Sequence, residues 1–276
     1  MTRHALPYLA AARVAGPDAA AFLHAQLSAD VAALADGAGG FACHCSPRGQ
    51  VYGLLLVCRR GPDFLLAGAA GLLPGMLQRL RLFVLRAKVE LALAEELAVF
   101  GLGGAAETAD REAVNPAAGL VYAISAPRDA TGGAPEGAAD AWKSAELRRG
   151  VAWLEPATSE RFIPQMLGYD RLGAVSFTKG CYPGQEIIAR ARYLGKVKRG
   201  PLRLLLEDAG ASVAGGLEHG SSLVLADGAE RLEATLVDHA VDPQTGRAVL
   251  FVVAPEAAEP VQSVGIGGRN YRCATM

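Results

Sequence analysis

The stretch FIPQMLGYDRLGAVSFTKGCYPGQEIIARARYLGKVKR, residues 162 to 199, decides how the chain is read. Its apolar residues Ala174, Val175 and Phe177 read as a strand that delivers a cation, Lys179, and a thiol, Cys181, onto a turn. Gly180 and Gly184 flank that turn, and glycine permits positive φ and close approach of backbone to a ligand. Lys179 stands two residues from Cys181, where an ammonium favours thiolate over thiol. Gln185 and Glu186 follow, an amide and a carboxylate able to make directed hydrogen bonds to a heterocycle. A cysteine after a strand is more often a small buried hydrophobe, so the residue pattern alone leaves its role open.

Upstream of this stretch, residues 139 to 149 read as a helix stopped by Gly150. Trp142 and Trp153 flank its end and read as packing residues, since no RNA-binding motif accompanies them. The segment TGGAPEG, residues 131 to 137, is dense in turn residues and reads as a linker. Earlier, Leu73, Leu77 and Leu80 share one helical face. Residues 88–93 and 97–102 read as strands, with Glu95 and Glu96 at their turn. In FACHCSPRGQVYGLLLV, residues 41 to 57, Pro47-Arg48-Gly49 marks the turn of a β-hairpin. Asp18, ahead of Phe22, Leu23 and Leu27, is placed to cap a first helix with its carboxylate. Downstream of Gly200, short β-like runs at 202–206, 222–225, 234–237 and 248–253 alternate with turns, the pattern of a small barrel. The chain therefore divides into regions 1–130, 138–199 and 200–276, α+β first and β-barrel last.

The bulk numbers bound the function. At 276 residues, with 51% hydrophobic and 20% charged residues, the chain has ample material for buried cores. A net charge of −1 gives no overall pull toward nucleic acid or anionic lipid, so any such contact needs a local patch. The apolar part of the N-terminus is broken by Pro7 and ended by Arg13, so no secretory signal is expected. The longest uncharged stretch, near Phe64 to Gln78, is too short to span a bilayer, and a cytoplasmic location is expected. Five dispersed cysteines, Cys43, Cys45, Cys58, Cys181 and Cys273, read as free thiols.

The chain resembles the YgfZ proteins, a branch of the folate-binding aminomethyltransferase superfamily, whose signature K-G-C-Y-x-G-Q-E it carries without mismatch as Lys179 through Glu186. Phe162 to Gln165, Val175-Ser176-Phe177 and the run Arg190 to Arg199 are also similar to that family. So are Phe22 to Val31, near F-L-Q-G-Q-[LV]-T-x-D-V, and Pro47-Arg48-Gly49, near P-[KR]-G. Two positions depart: Gly168 stands where many relatives have Asn, and His24 where Gln is usual.

The resemblance implies an α+β clover-leaf of domains around a central folate channel, closed by the C-terminal barrel. It implies tetrahydrofolate as cofactor, with Cys181 and Lys179 as reactive residues. Lys179, Gly180, Tyr182, Gly184, Gln185, Glu186, Gln165 and Arg192 are implied as folate-binding. The aminomethyltransferases have a D-F-x-G-like segment where this chain has a thiol, a soft nucleophile and metal ligand. The ordinary transfer reaction is therefore expected to be lost. The implied role is that of a monomeric accessory factor for assembly or repair of iron–sulfur client proteins, tRNA-modifying enzymes included, with tRNA an indirect partner. Two rivals are a folate-dependent one-carbon transferase and a non-catalytic folate-sensing module.

Other candidates carry less. Strand alternation sets Cys43 and Cys45 on one face and His44 on the other, and no second ligand pair is suitably spaced, so no metal site is expected there. Arg190, Arg192, Lys196, Lys198 and Arg199, interleaved with Tyr193, read either as a solvated face or as an attractor of anions. Ser46 and Ser176 lack a triad context, and Glu95-Glu96 gives no reason to invoke a glycosidase pair.

Overall fold

The computed structural model describes residues 2–103, 113–117, 119–127, 137–195, 197–207, 210–226, 230–256 and 261–276. Its first half runs β1 (Thr2–Ala5), β2 (Leu9–Ala15), α1 (Ala19–Gln26), β3 (Gly39–Cys45), β4 (Val51–Arg60), β5 (Asp63–Ala69), α2 (Leu73–Arg81), β6 (Glu90–Leu93), β7 (Ala98–Gly103), β8 (Ala113–Ala117) and β9 (Leu120–Ser125). Then come α3 (Ala138–Arg148), a 3-10 turn (Pro164–Leu167), α4 (Gln185–Tyr193) and β10 (Arg199–Leu206). The chain finishes with α5 (Ala211–Ala214), β11 (Ser222–Ala226), β12 (Arg231–Val241), β13 (Ala248–Pro255), β14 (Ser263–Ile266) and β15 (Arg269–Thr275).

β3 and β4 form the expected hairpin around Pro47-Arg48-Gly49, and the sheet continues in the order β3-β4-β5-β2-β6. β4 is apolar without alternation because both of its faces are covered. Leu55 and Val57 pack with Phe22, Leu23, Leu73, Met76 and Leu80 of α1 and α2. Leu54, Leu56 and Cys58 pack on the opposite side with Val99, Tyr122 and Trp153. A second antiparallel sheet, β1-β7-β9-β8, covers that side.

The C-terminal strands close into a barrel, β10-β13-β12-β11-β14-β15. Its interior holds Leu202, Leu204, Leu225, Leu236, Leu250 and Val252. Alternate residues of β12 and β13, namely Val237, Val249, Phe251 and Val253, belong instead to the main core. The barrel is thus docked through one apolar flank, and the architecture is the α+β type with a terminal barrel. No described helix is long and apolar enough to cross a membrane.

Three local expectations change. Asp18 does not cap α1; its carboxylate accepts from the Lys88 backbone N–H at 2.7 Å, tying the helix start to the chain entering β6. Residues 174–177 form no strand, because their backbone bonds to the segment after α1 rather than to a ladder, as in Ser176 N–H to Ser28 O at 2.9 Å. The second strand of the 88–102 pair matches its expected place, while the first begins at Glu90. Of the expected linker, residues 131–136 lie outside the described residues.

α3 joins the layers. Its Glu146 is fully buried and accepts from Tyr8 Oη at 2.8 Å, Tyr122 Oη at 2.7 Å and Trp153 Nε1 at 3.1 Å. Burial pushes its carboxyl up to about 7 against the three hydrogen bonds, which act in the other direction. The folded state then keeps a proton that the unfolded state releases above about 4.5. Stability from this group is therefore present at low pH and is lost as pH rises from about 4.5 to about 7. Glu146→Gln retains an acceptor without the charge. Urea unfolding at pH 5 and pH 7 should show the wild type losing on the order of 2–3 kcal/mol more than the variant across that interval. Equal losses would dismiss the buried-charge account.

Candidate functional site

Two stretches far apart in sequence cross at the site. Gly184, at φ 82°, precedes α4, and Gly49, at φ 76°, ends the β3–β4 turn. A Cβ on Gly184 would lie 2.6 Å from Gly49 Cα, so the backbones meet where only glycine fits. A Cβ on Gly49 would in turn press on Ile187 at 3.1 Å. The hairpin turn and the cysteine loop are therefore one unit.

Lys179 fastens that unit to the N-terminal region. It is 8% exposed, and its Nζ donates to the backbone carbonyls of His24, Leu27 at 2.6 Å and Ala29 at 3.1 Å. An ammonium has three protons, so none remains for the Cys181 thiol or for a ligand. Burial lowers Lys179 to about 8, with Asp30 opposing. The spacing argument placed this cation beside the thiol; the fold directs it to carbonyls at the end of α1. Ser28 completes the fastening: its Oγ donates to Ala174 O at 2.5 Å and accepts from Cys43 N at 2.8 Å.

Cys181 is exposed, whereas Cys43, Cys45, Cys58 and Cys273 are buried, and all five are free thiols. Burial pushes the Cys58 thiol up to about 12 and that of Cys273 up to about 11. A hydrogen bond with the Cys43 thiol, and burial, raise Cys45 as well. Accessibility therefore singles out Cys181 for chemistry with a large partner. Tyr182 is buried with an unpartnered hydroxyl, and Lys179 Nζ lies 5.1 Å from its ring centroid. Gln185 Nε2 donates to Lys179 O at 3.3 Å, which folds the loop back on itself. Glu186 is exposed in the first turn of α4. Gly180 has open space where a side chain would stand.

Of the remaining expected residues, Gln165 donates through Nε2 to Ile188 O at 2.6 Å, and its buried Oε1 has no partner. The Arg192 guanidinium sits 4.2 Å from the Phe177 ring centroid and 4.0 Å from Asp170. Arg190 and Lys198 are exposed, Arg199 donates to Val253 O at 3.0 Å, and Lys196 lies outside the described residues. Cys43 and Cys45 enter the core while His44 packs edge-on to Tyr52 at 4.9 Å, in keeping with strand alternation. Trp153 is buried, and Trp142 packs against the main core with its ring on Gly101.

Two adjoining cavities open where the 3-10 turn meets the barrel. One, of about 330 Å³, is lined by Gln165, Asp170, Arg171, Arg199 and Pro201 among others. The other, of about 410 Å³, has Leu167, Leu172 and Phe251 as apolar lining, with Arg149, Arg171 and Arg203. They share Arg171, Pro201 and Leu202 and so make one groove, whose lining mixes apolar side chains with Arg149, Arg171, Arg199 and Arg203 and with the carboxylates of Asp170 and Glu256. Gly168 lines it at φ 70°, a left-handed position that suits glycine and asparagine best. Sequence reading reached Gln165 but missed Arg149, Asp170, Arg171 and Arg203, since isolated charges between apolar residues carry no periodic signal.

No protein-family model matches the chain. It is 29% identical over 222 residues to the tRNA-modifying protein YgfZ of Klebsiella pneumoniae, covering 69% of this chain and 67% of that protein. It is 28% identical over 280 residues to the protein of the same name from Escherichia coli O157:H7, covering 91% and 84%. An uncharacterized Haemophilus influenzae protein is 32% identical over 192 residues, covering 67% of each. In structure the chain is similar to the glycine cleavage system aminomethyltransferase T from Bartonella henselae, with a TM-score of 0.71 at 16% identity over 99% of this chain and 84% of that one. That likeness fixes the fold.

Lys179→Met should leave three carbonyls short of a buried donor and cost roughly 2–3 kcal/mol. It should also raise hydrogen exchange at residues 176–185 above exchange elsewhere. An unchanged exchange pattern would show that the ammonium does not hold the loop. Gly184→Ala, blocked by the Gly49 backbone, should cost at least as much in a denaturant titration.

Proposed function

Because the chain belongs to the YgfZ family, we propose that it is a cytoplasmic folate-binding accessory protein serving iron–sulfur enzymes, and that a reduced folate lies in the groove beside the barrel. The chemistry of the groove carries this reading. Folate has a flat pterin, an aryl linker and an anionic glutamate tail. Pro201 and Met276 offer apolar surface to the body, and Arg149 and Arg171 suit the tail, while Arg203 is held by the carbonyls of Arg148 at 2.6 Å and Met276 at 3.1 Å. The orphaned Oε1 of Gln165 and the Asp170 carboxylate are acceptors for pterin N–H groups. When bound, tetrahydrofolate supplies nitrogens that carry one-carbon units.

Cys181 then acts at the surface, held by a loop that Lys179 and Gly184 fix, as a soft nucleophile or iron ligand toward a client protein. Gly180 gives access to it, and Tyr182, Gln185 and Glu186 shape the loop and the start of α4. The relatives' name, tRNA-modifying protein, supports clients that act on RNA. The exposed Arg190, Arg192 and Lys198 suit indirect contact with a phosphate backbone. A second reading, folate-dependent one-carbon transfer, is favoured by Asp170, a carboxylate inside the groove. It requires turnover of 5,10-methylenetetrahydrofolate that Asp170→Asn abolishes.

Calorimetric titration with tetrahydrofolate tests the main reading. Wild type and Cys181→Ala should bind alike in the micromolar range, and Arg171→Ala about tenfold more weakly. No binding by the wild type would remove folate from the account. For the thiol, Cys181→Ala should fail to rescue a strain lacking the protein under oxidative stress, and full rescue would sink that part.

A further inference from the structure

The geometry points to a binding site for a divalent transition-metal ion of the zinc class, formed by His219, Asp238 and His239 where the barrel meets α3. One ligand atom from each of the three lies within 4.8 Å of the others. His219 Nε2 and Asp238 Oδ1 are already 3.3 Å apart, about the edge of a tetrahedron with bonds of roughly 2.0–2.1 Å. The two imidazole rings lie side by side, their centroids 5.1 Å apart.

His239 carries the second observation. One of its ring nitrogens is hydrogen-bonded to the Ala214 backbone, while Nδ1 is buried and has no partner. A carbonyl holding one imidazole N–H and leaving the other nitrogen's lone pair free is the usual support of a metal-bound histidine. Without a metal, that lone pair is a buried acceptor left unsatisfied. Asp238 Oδ1 also accepts from the His239 backbone N–H at 2.8 Å, which turns the carboxylate along the strand toward that residue. The register of β12 against β13 shifts between Leu236 and Asp238, and such a bulge re-aims side chains.

Lys143 competes for the same carboxylate, its Nζ standing 2.8 Å from Asp238 Oδ1. A metal ion displaces this ammonium rather than joining it. Lys143 has somewhere to go: its Nζ is already 5.1 Å from the Tyr8 ring centroid, and Glu146 and Glu155 attract it. Asp238 meanwhile keeps its Oδ2 bond from Trp153 N at 3.1 Å, which fixes the carboxylate as a ligand should be fixed. His219, whose side chain is 26% exposed, gives the entry path, and water completes the fourth position. The bound ion pins the loop ahead of β11 to β12.

The test uses the full chain with Cys181→Ser, so that the one exposed thiol cannot bind metal. Titration with Zn2+ by calorimetry, and with Co2+ by visible absorption, should give one equivalent bound in a tetrahedral nitrogen and oxygen environment without thiolate charge-transfer bands. His219→Gln and His239→Gln should each weaken binding by roughly tenfold or more. His219 is partly exposed, so that variant should keep the fold by circular dichroism, and Zn2+ should raise Tm in the parent but not in it. Failure to bind one equivalent, or affinity in both histidine variants unchanged from the parent, would overturn the site.

Discussion

Trp153 is held from both ends, and the layers of the protein meet at that clamp. Its backbone N–H donates to Asp238 on the barrel, and its indole N–H donates to Glu146 on α3. Its ring lies edge-on to Phe41 of the hairpin at 6.0 Å. Glu146 also takes the hydroxyls of Tyr8, just ahead of β2, and Tyr122, within β9. Two buried carboxylates thus connect the two sheets, one helix and the barrel through a single side chain. Neither acid is isolated, since Lys143 answers Asp238 and three hydrogen bonds reach Glu146. Removing one partner from such a network strands the others in a low dielectric, which is why polar clamps of this kind specify one arrangement of layers.

The site depends on that arrangement. The hairpin turn at Gly49 and the loop at Gly184 touch only because the first sheet and the 3-10 segment are fixed relative to each other. Lys179 and Ser28 then secure the loop to the segment following α1. The result is a loop with internal anchors throughout and one thiol turned outward. Gln165 lines the groove and also reaches α4, its amide donating to Ile188 O. Thiol and groove are separate places on one rigid piece, so binding at one can be felt at the other only through that piece.

Much of this was legible in the sequence. The hairpin followed from Pro47-Arg48-Gly49, the barrel from short apolar runs between turns, and the family from eight consecutive residues. The losses have physical reasons. β2, LAAARVA, has the composition of a helix and becomes a strand because β5 and β6 flank it. β9, LVYAIS, is buried on both faces and shows no alternation. The Gly267-Gly268 turn between β14 and β15, both residues at positive φ, is a local hairpin signal. Residues 174–177 look like a strand but find their partners around Ser28, and Lys179 looks like a ligand-binding cation until its carbonyls are seen. In these last two cases the deciding partner is more than a hundred residues away, where local pattern has no reach.

The docking of β12 and β13 bears on how the chain is made. The core residues Phe41 and Trp153 are translated before Val237, Phe251 and Val253, which cover part of the same core. Until the barrel emerges from the ribosome, the earlier layers present an uncovered apolar face and a tryptophan amide without its acceptor. A chain stopped short of residue 253 therefore leaves apolar surface open that the complete fold hides beneath β12 and β13.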